Sequence, residues 1–162
     1  MKLCSAEIMK KIKLLEQAKF EILQEESRTH WVTYQDMKDR FDYGYSFAQT
    51  RQKISEIDGE IRKLKRLLNY ANATLMVPEF DMTLGECLVY MAQLNREVLV
   101  VDRMAGKEPI TSRTTHGGKV EYTALNYDKA ECQAKLEWLN TTIAALQIAI
   151  DRTNLTNVIE VD

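Results

Sequence analysis

Ile54, Ile57, Ile61, Leu64, Leu68, Ala71 and Leu75 follow one another by alternating steps of three and four. Such spacing places seven apolar groups on one stripe of a helix. A hydrophobic period of 3.5 residues belongs to helices that pack at a shallow angle, as in bundles and coiled coils. The pattern returns in Leu84, Cys87, Met91, Leu94, Val98, Val101 and Ala105, and again in Cys132, Leu136, Leu139, Ile143, Leu146 and Ile150. A broader stripe of Ile8, Ile12, Leu15, Ala18 and Ile22 precedes them. The expected fold class is therefore all-α: an antiparallel bundle of long heptad-patterned helices. The expected helices cover about 5–27, 47–73, 83–105 and 128–152, in a single helical domain over 1–162.

Local signals refine this outline. Ser5 and Thr83 stand where helix N-caps are expected, with Glu7 in the first turn after Ser5. Residues 28–45 lack a regular period and hold Trp31, Tyr34, Phe41, Tyr43 and Tyr45, which reads as an aromatic connecting arm. Between the third and fourth helices, β-rich runs flank Gly117-Gly118, a hairpin insertion over about 109–124. A short C-terminal strand fits the apolar ending. A brief internal echo accompanies it: Asn72-Ala73-Thr74-Leu75-Met76-Val77 and Asn154-Leu155-Thr156-Asn157-Val158-Ile159 both leave a heptad helix through Asn-x-Thr into an apolar run.

Charge and cysteine usage narrow the function. Lys and Arg total 22 against 24 Asp and Glu, so the chain lacks the basic footprint of a general nucleic-acid binder. Cys4, Cys87 and Cys132 are far apart and form no CxxC, which fits reduced thiols in a cytoplasmic protein. The first 20 residues mix lysines with Glu7 and Glu16, and are not read as a secretory leader. No apolar run reaches the length of a membrane span, so no membrane partner is expected. His30 and His116 are the two histidines, and neither has neighbours at metal-ligand spacing. No nucleophile motif or phosphate loop appears. The expectation is a non-enzymatic protein with no metal and no cofactor.

The richest binding chemistry lies in the polar insertion. Arg113, His116, Lys119 and Tyr122 fall within ten residues, and Arg152, Asn154 and Thr156 close the last helix with similar groups. Arg offers a planar fork for phosphate or carboxylate, and Tyr a stacking face and a hydroxyl. These seven are the expected ligand-binding residues. Their plainer roles are a turn residue for His116 and an oligomer contact for the hairpin. Arg62, Lys63, Lys65 and Arg66 form a basic strip that reads as a solvated flank of the Ile61 seam.

The start Met1-Lys2-Leu3, the helix end Leu68-Asn69-Tyr70-Ala71-Asn72-Ala73-Thr74 and the restart Thr83-Leu84-Gly85-Glu86 form a broader pattern. With the 113–122 insertion and the ending Ile150-Asp151-Arg152-Thr153-Asn154-Leu155-Thr156, they resemble the septicolysin-labelled family of small helical bacterial and phage proteins of unknown function. The resemblance implies a helical, oligomeric fold. Three functions follow as expectations. The first is a homo-oligomer that sequesters a small phosphorylated, nucleotide-like signalling molecule, as phage counter-defence proteins do. The second is a structural or adaptor protein that binds another protein through its helices and aromatic arm. The third, ranked last, is the membrane-active, lysin-like role that the family label implies.

Overall fold

The computed structural model describes residues 2–160. Among these are four long helices and six short strands. The order is β1 (Lys2–Cys4), α1 (Ser5–Thr29), α2 (Phe47–Thr74), β2 (Met76–Val77), β3 (Met82–Thr83), α3 (Leu84–Ala105), β4 (Ile110–Thr114), β5 (Val120–Ala124), α4 (Lys129–Thr156) and β6 (Val158–Glu160). The four expected helices are present at nearly the expected bounds, and the insertion is a hairpin. The fold class is nevertheless corrected: the chain is mixed α/β, not an all-α bundle. Three two-stranded antiparallel sheets join β1 to β6, β2 to β3 and β4 to β5. Two of them are built from runs of two or three residues, too short for an alternating pattern to register in the sequence.

The chain forms two compact units, residues 1–74 with 154–162, and residues 75–153. In the first, Ile8 and Ile12 of α1 pack with Ile61 and Leu64 of α2 and with Leu3 of β1. Lys2, Leu3 and Cys4 pair with Glu160, Ile159 and Val158, so the two chain ends share one small sheet. In the second unit, Leu84, Cys87 and Leu94 of α3 share a core with Leu139, Leu146 and Ile150 of α4, closed by Val77. The β2–β3 turn uses Phe80 N–H to Val77 and Asp81 N–H to Pro78, with Asp81 at φ +50°, a left-handed conformation that Asp tolerates better than most residues.

The two halves of the chain repeat one plan: strand, helix, connector, helix, strand. Cys4 and Thr83 cap α1 and α3, and each donates its backbone N–H to the carboxylate three residues on, Glu7 at 2.8 Å and Glu86 at 2.7 Å. The cap of α1 is thus Cys4; Ser5, the expected cap, is the first helical residue. Ile8 matches Cys87, and both are fully buried. Leu64 and Ala71 of α2 match Leu146 and Thr153 of α4, again all buried. The Asn-x-Thr echo is the end of this repeat, where α2 runs into β2 and α4 into β6. Each repeat's closing strand pairs with the opening strand of the other. What differs is the connector: an irregular arm with a short 3-10 turn (Met37–Asp39) in the first repeat, and the β4–β5 hairpin in the second.

Candidate functional site

The β4–β5 hairpin carries four of the seven expected ligand residues. Its register pairs Ile110 with Ala124, Thr111 with Thr123, Ser112 with Tyr122, Arg113 with Glu121 and Thr114 with Val120. Successive strand residues point to opposite faces. Arg113 therefore shares a face with Glu121, Thr111 and Thr123, while Tyr122 shares the other with Ile110 and Val120. The hairpin does not bring Arg113 and Tyr122 together. Arg113 is also engaged, giving Nε and Nη2 to Glu121 Oε2 at 2.9 and 2.8 Å. His116 lies in the turn, where Gly118 takes φ +75° and donates its N–H to Thr115. Lys119 accepts from the Thr115 backbone and hydroxyl through its carbonyl.

All ten strand residues of the hairpin are exposed. Its Tyr122 face leaves Ile110 61%, Val120 53% and Tyr122 70% accessible. Ser112 and Thr114 share this face, and beside them Val120, Tyr122 and Ala124 run along β5 to Ile110 as an exposed apolar stripe, a contact surface in chemical character.

Arg152 lies elsewhere in the second unit. It sits roughly 35 Å along α4 from Lys129, at the helical rise of about 1.5 Å per residue. There it forms an ion pair with Glu79 of the β2–β3 turn. Tyr127 fastens the hairpin end of α4, donating its hydroxyl to the Met104 carbonyl at 2.9 Å. Arg152 and the hairpin residues are thus at opposite ends of α4. Asn154 and Thr156 follow in its last turn.

The sequence reading missed a polar cluster in the first unit, where α1 ends and α2 begins. Glu26 receives the Tyr45 hydroxyl at 2.7 Å and the Arg51 guanidinium. The Tyr45 hydrogen bond, reinforced by Arg51, holds the Glu26 carboxyl below the usual range despite partial burial. The same bond and burial push the Tyr45 phenol up. Arg51 stacks over Phe47, 5.4 Å from the ring centre. Its Nε is buried and meets no acceptor among the described residues. His30 Nδ1 lies 2.6 Å from the Glu26 carbonyl. A cavity of about 440 Å³ is lined by Glu26, Ser27, His30, Tyr45, Phe47 and Arg51, among others. The available signal was register: Glu26 continues the Ile8, Ile12, Leu15, Ile22 stripe, so a carboxylate occupies a core-facing position. Lys19 and Asp58 show the same habit two turns away, paired at 2.7 Å and each about one-third exposed.

The basic strip behaves as a solvated flank. Arg62, Lys63, Lys65 and Arg66 are exposed, with Lys63 paired to Glu60 and Lys65 to Glu16. Among the described residues no group of His, Cys, Asp and Glu is placed to hold a metal ion. Nor is any helix long and apolar enough to cross a membrane.

No protein-family model matches the chain, and no curated protein matches it. Its fold is shared with the crystal structure of a functionally unknown conserved protein from Corynebacterium diphtheriae. The two superpose with a TM-score of 0.70 over 99% of this chain and 100% of that one, at 16% identity. At that identity the likeness concerns the fold alone.

Proposed function

We propose that this is a non-enzymatic, cytoplasmic binding protein that works through protein–protein contact, and that its first partner is another copy of itself. The carrying observation is the apolar stripe of Ile110, Val120 and Tyr122, open on a ribbon whose every strand residue is exposed. Water gives such a face a standing drive toward burial, of order 25 cal/mol for each Å² covered. Leu88 and Leu99 on α3, with Trp138 and Ile148 on α4, add exposed apolar surface in the same unit. Three unbridged thiols suit a reducing compartment.

Hydrogen exchange across a protein concentration series tests this reading. Segment 110–124 is expected to exchange more slowly as concentration rises, while the arm at 30–44 is unaffected. Exchange in 110–124 that ignores concentration contradicts it.

A second reading rests on the hairpin tip, where exposed His116 and Lys119 flank Gly117-Gly118. Hairpins gathered by self-association would collect these donors from several subunits. Such a cluster suits a small phosphorylated ligand, and sequestration of a nucleotide-like signal would follow. Retention of inorganic phosphate or a nucleotide by the wild type, and its loss in Lys119→Ala, tests that reading.

A further inference from the structure

The polar cluster at the α1–α2 end is not something the fold needs. The second repeat supplies the comparison within the same molecule. Glu26 matches Ala105, a buried apolar residue, and Arg51 matches Gln133, an exposed neutral one. There the corresponding tyrosine, Tyr127, is satisfied by a backbone carbonyl. The first repeat instead places a carboxylate and a guanidinium at its helix ends, and leaves a buried Arg51 N–H without an acceptor among the described residues. Uncompensated polar groups of this kind are rare in folded proteins and collect where a site has another task.

We infer that the cavity between Glu26, His30, Phe47 and Arg51 binds a flat, uncharged heteroaromatic ring bearing N–H donors, of the nucleobase class. Three features set that chemistry. The first is shape. Phe47 is 65% exposed with the Arg51 guanidinium over its ring, a planar platform on which an aromatic ring stacks. The volume, about 440 Å³, falls within the range of small-molecule sites.

The second is charge. Glu26 and Arg51 neutralise each other, so neither an anion nor a cation meets a net counter-charge. The third is hydrogen-bond polarity. A backbone carbonyl only accepts, so His30 Nδ1 donates to the Glu26 carbonyl, and in the neutral ring Nε2 is then an acceptor. Ser27 gives its hydroxyl proton to the Gln24 carbonyl at 2.7 Å and keeps acceptor lone pairs. Glu26 is an acceptor throughout. Beside these acceptors the Arg51 guanidinium lines the cavity as a donor, so the site suits a ring that both donates and accepts, as nucleobases do through their amino groups and ring nitrogens. This inference does not rest on self-association, and the two can fail separately.

Titration of the full-length, isotope-labelled protein with adenosine and with guanosine, followed by amide chemical shifts, tests it. Benzoate and benzamidine serve as flat anionic and cationic controls. Saturable shifts confined to residues 23–30 and 43–53 are expected with at least one nucleoside. Binding is expected to weaken roughly fivefold or more in Phe47→Ala, the loss of one stacking contact. His30→Ala, at a second exposed position, is expected to weaken it as well. Absence of saturable shifts at millimolar nucleoside, shifts centred elsewhere, equal affinity in both variants, or stronger binding of benzoate or benzamidine overturns the proposal.

Discussion

Tyr45 and Tyr127 hold matching places in the two repeats, and each ties the start of a second helix to the end of a first. Tyr45 reaches the Glu26 carboxylate at 2.7 Å, and Tyr127 the Met104 carbonyl at 2.9 Å. One bond is to a charged acceptor, the other to a neutral one, and charged acceptors bind more strongly. Tyr127→Phe should cost about 1 kcal/mol, a typical single hydrogen bond. Tyr45→Phe should lower the melting temperature further, because it also deprives Glu26 of the donor that stabilises its charge. Thermal unfolding of the two variants, compared side by side, checks the order.

Ser5 is a local conflict in the core. It is 1% exposed and its hydroxyl has no partner among the described residues, while Leu84 fills the matching place in the second repeat. A buried hydroxyl without a partner forfeits its hydration for nothing. Ser5→Ala is therefore expected to stabilise the protein, by about 1 kcal/mol. Denaturant unfolding measures it; a destabilised variant would mean that the hydroxyl is satisfied.

Acid sensitivity follows from three carboxylates. The Cys4 and Thr83 caps hold Glu7 and Glu86 below the usual range, mainly through their backbone N–H groups, and Tyr45 does the same for Glu26. A folded pKa below the unfolded one gives stability that is complete above the unfolded value, about 4.3 for Glu, and is lost as pH falls through the folded value. Stability should thus be flat near neutrality and decline below about pH 5. Glu86→Gln should flatten the acid limb while lowering the neutral plateau. On the alkaline side the sign reverses. The raised Tyr45 pKa contributes stability present below the ordinary phenol value and lost as pH climbs through the folded one.

The thiols should react in a fixed order. Cys87 is fully buried, and burial, with Glu86 and Glu79 nearby, pushes its pKa up. The thiolate is the reactive form, so Cys87 should resist labelling until the protein unfolds. Cys132 is half-buried and should react first. Labelling by a thiol reagent, read by peptide mass, gives the order directly.

Much of the scaffold was legible because heptad spacing extends over six or seven residues per helix and outweighs local noise. Ile54, Leu64, Leu84, Leu139 and Ile150 were all expected in seams, and all are buried. The strands β1, β2, β3 and β6 were not legible as a set, since pairs such as Met76↔Thr83 carry no period of their own. Only the exit at Val158 was read as a strand. The repeat surfaced as a six-residue echo because its identical matches elsewhere, such as Leu64 with Leu146 and Tyr45 with Tyr127, are isolated, while others conserve burial alone: Ile8 matches Cys87, and Ala71 matches Thr153. The hairpin's chemistry was legible by composition and not by face. Arg113 and Tyr122 are close in sequence, yet register places them on opposite sides. Glu26 escaped because the first stripe was read only as far as Ile22, and Arg51 because it precedes Ile54, the first residue of the second seam.

Native mass spectrometry of the wild type and of Val120→Asp tests the central claim, self-association through the Ile110–Val120–Tyr122 face. The account predicts a discrete oligomer for the wild type at micromolar concentration. It predicts a shift toward monomer for the variant, whose folded helical signal and melting temperature stay near those of the parent. A wild-type monomer throughout the concentration range, or an oligomer that Val120→Asp leaves intact, would contradict it.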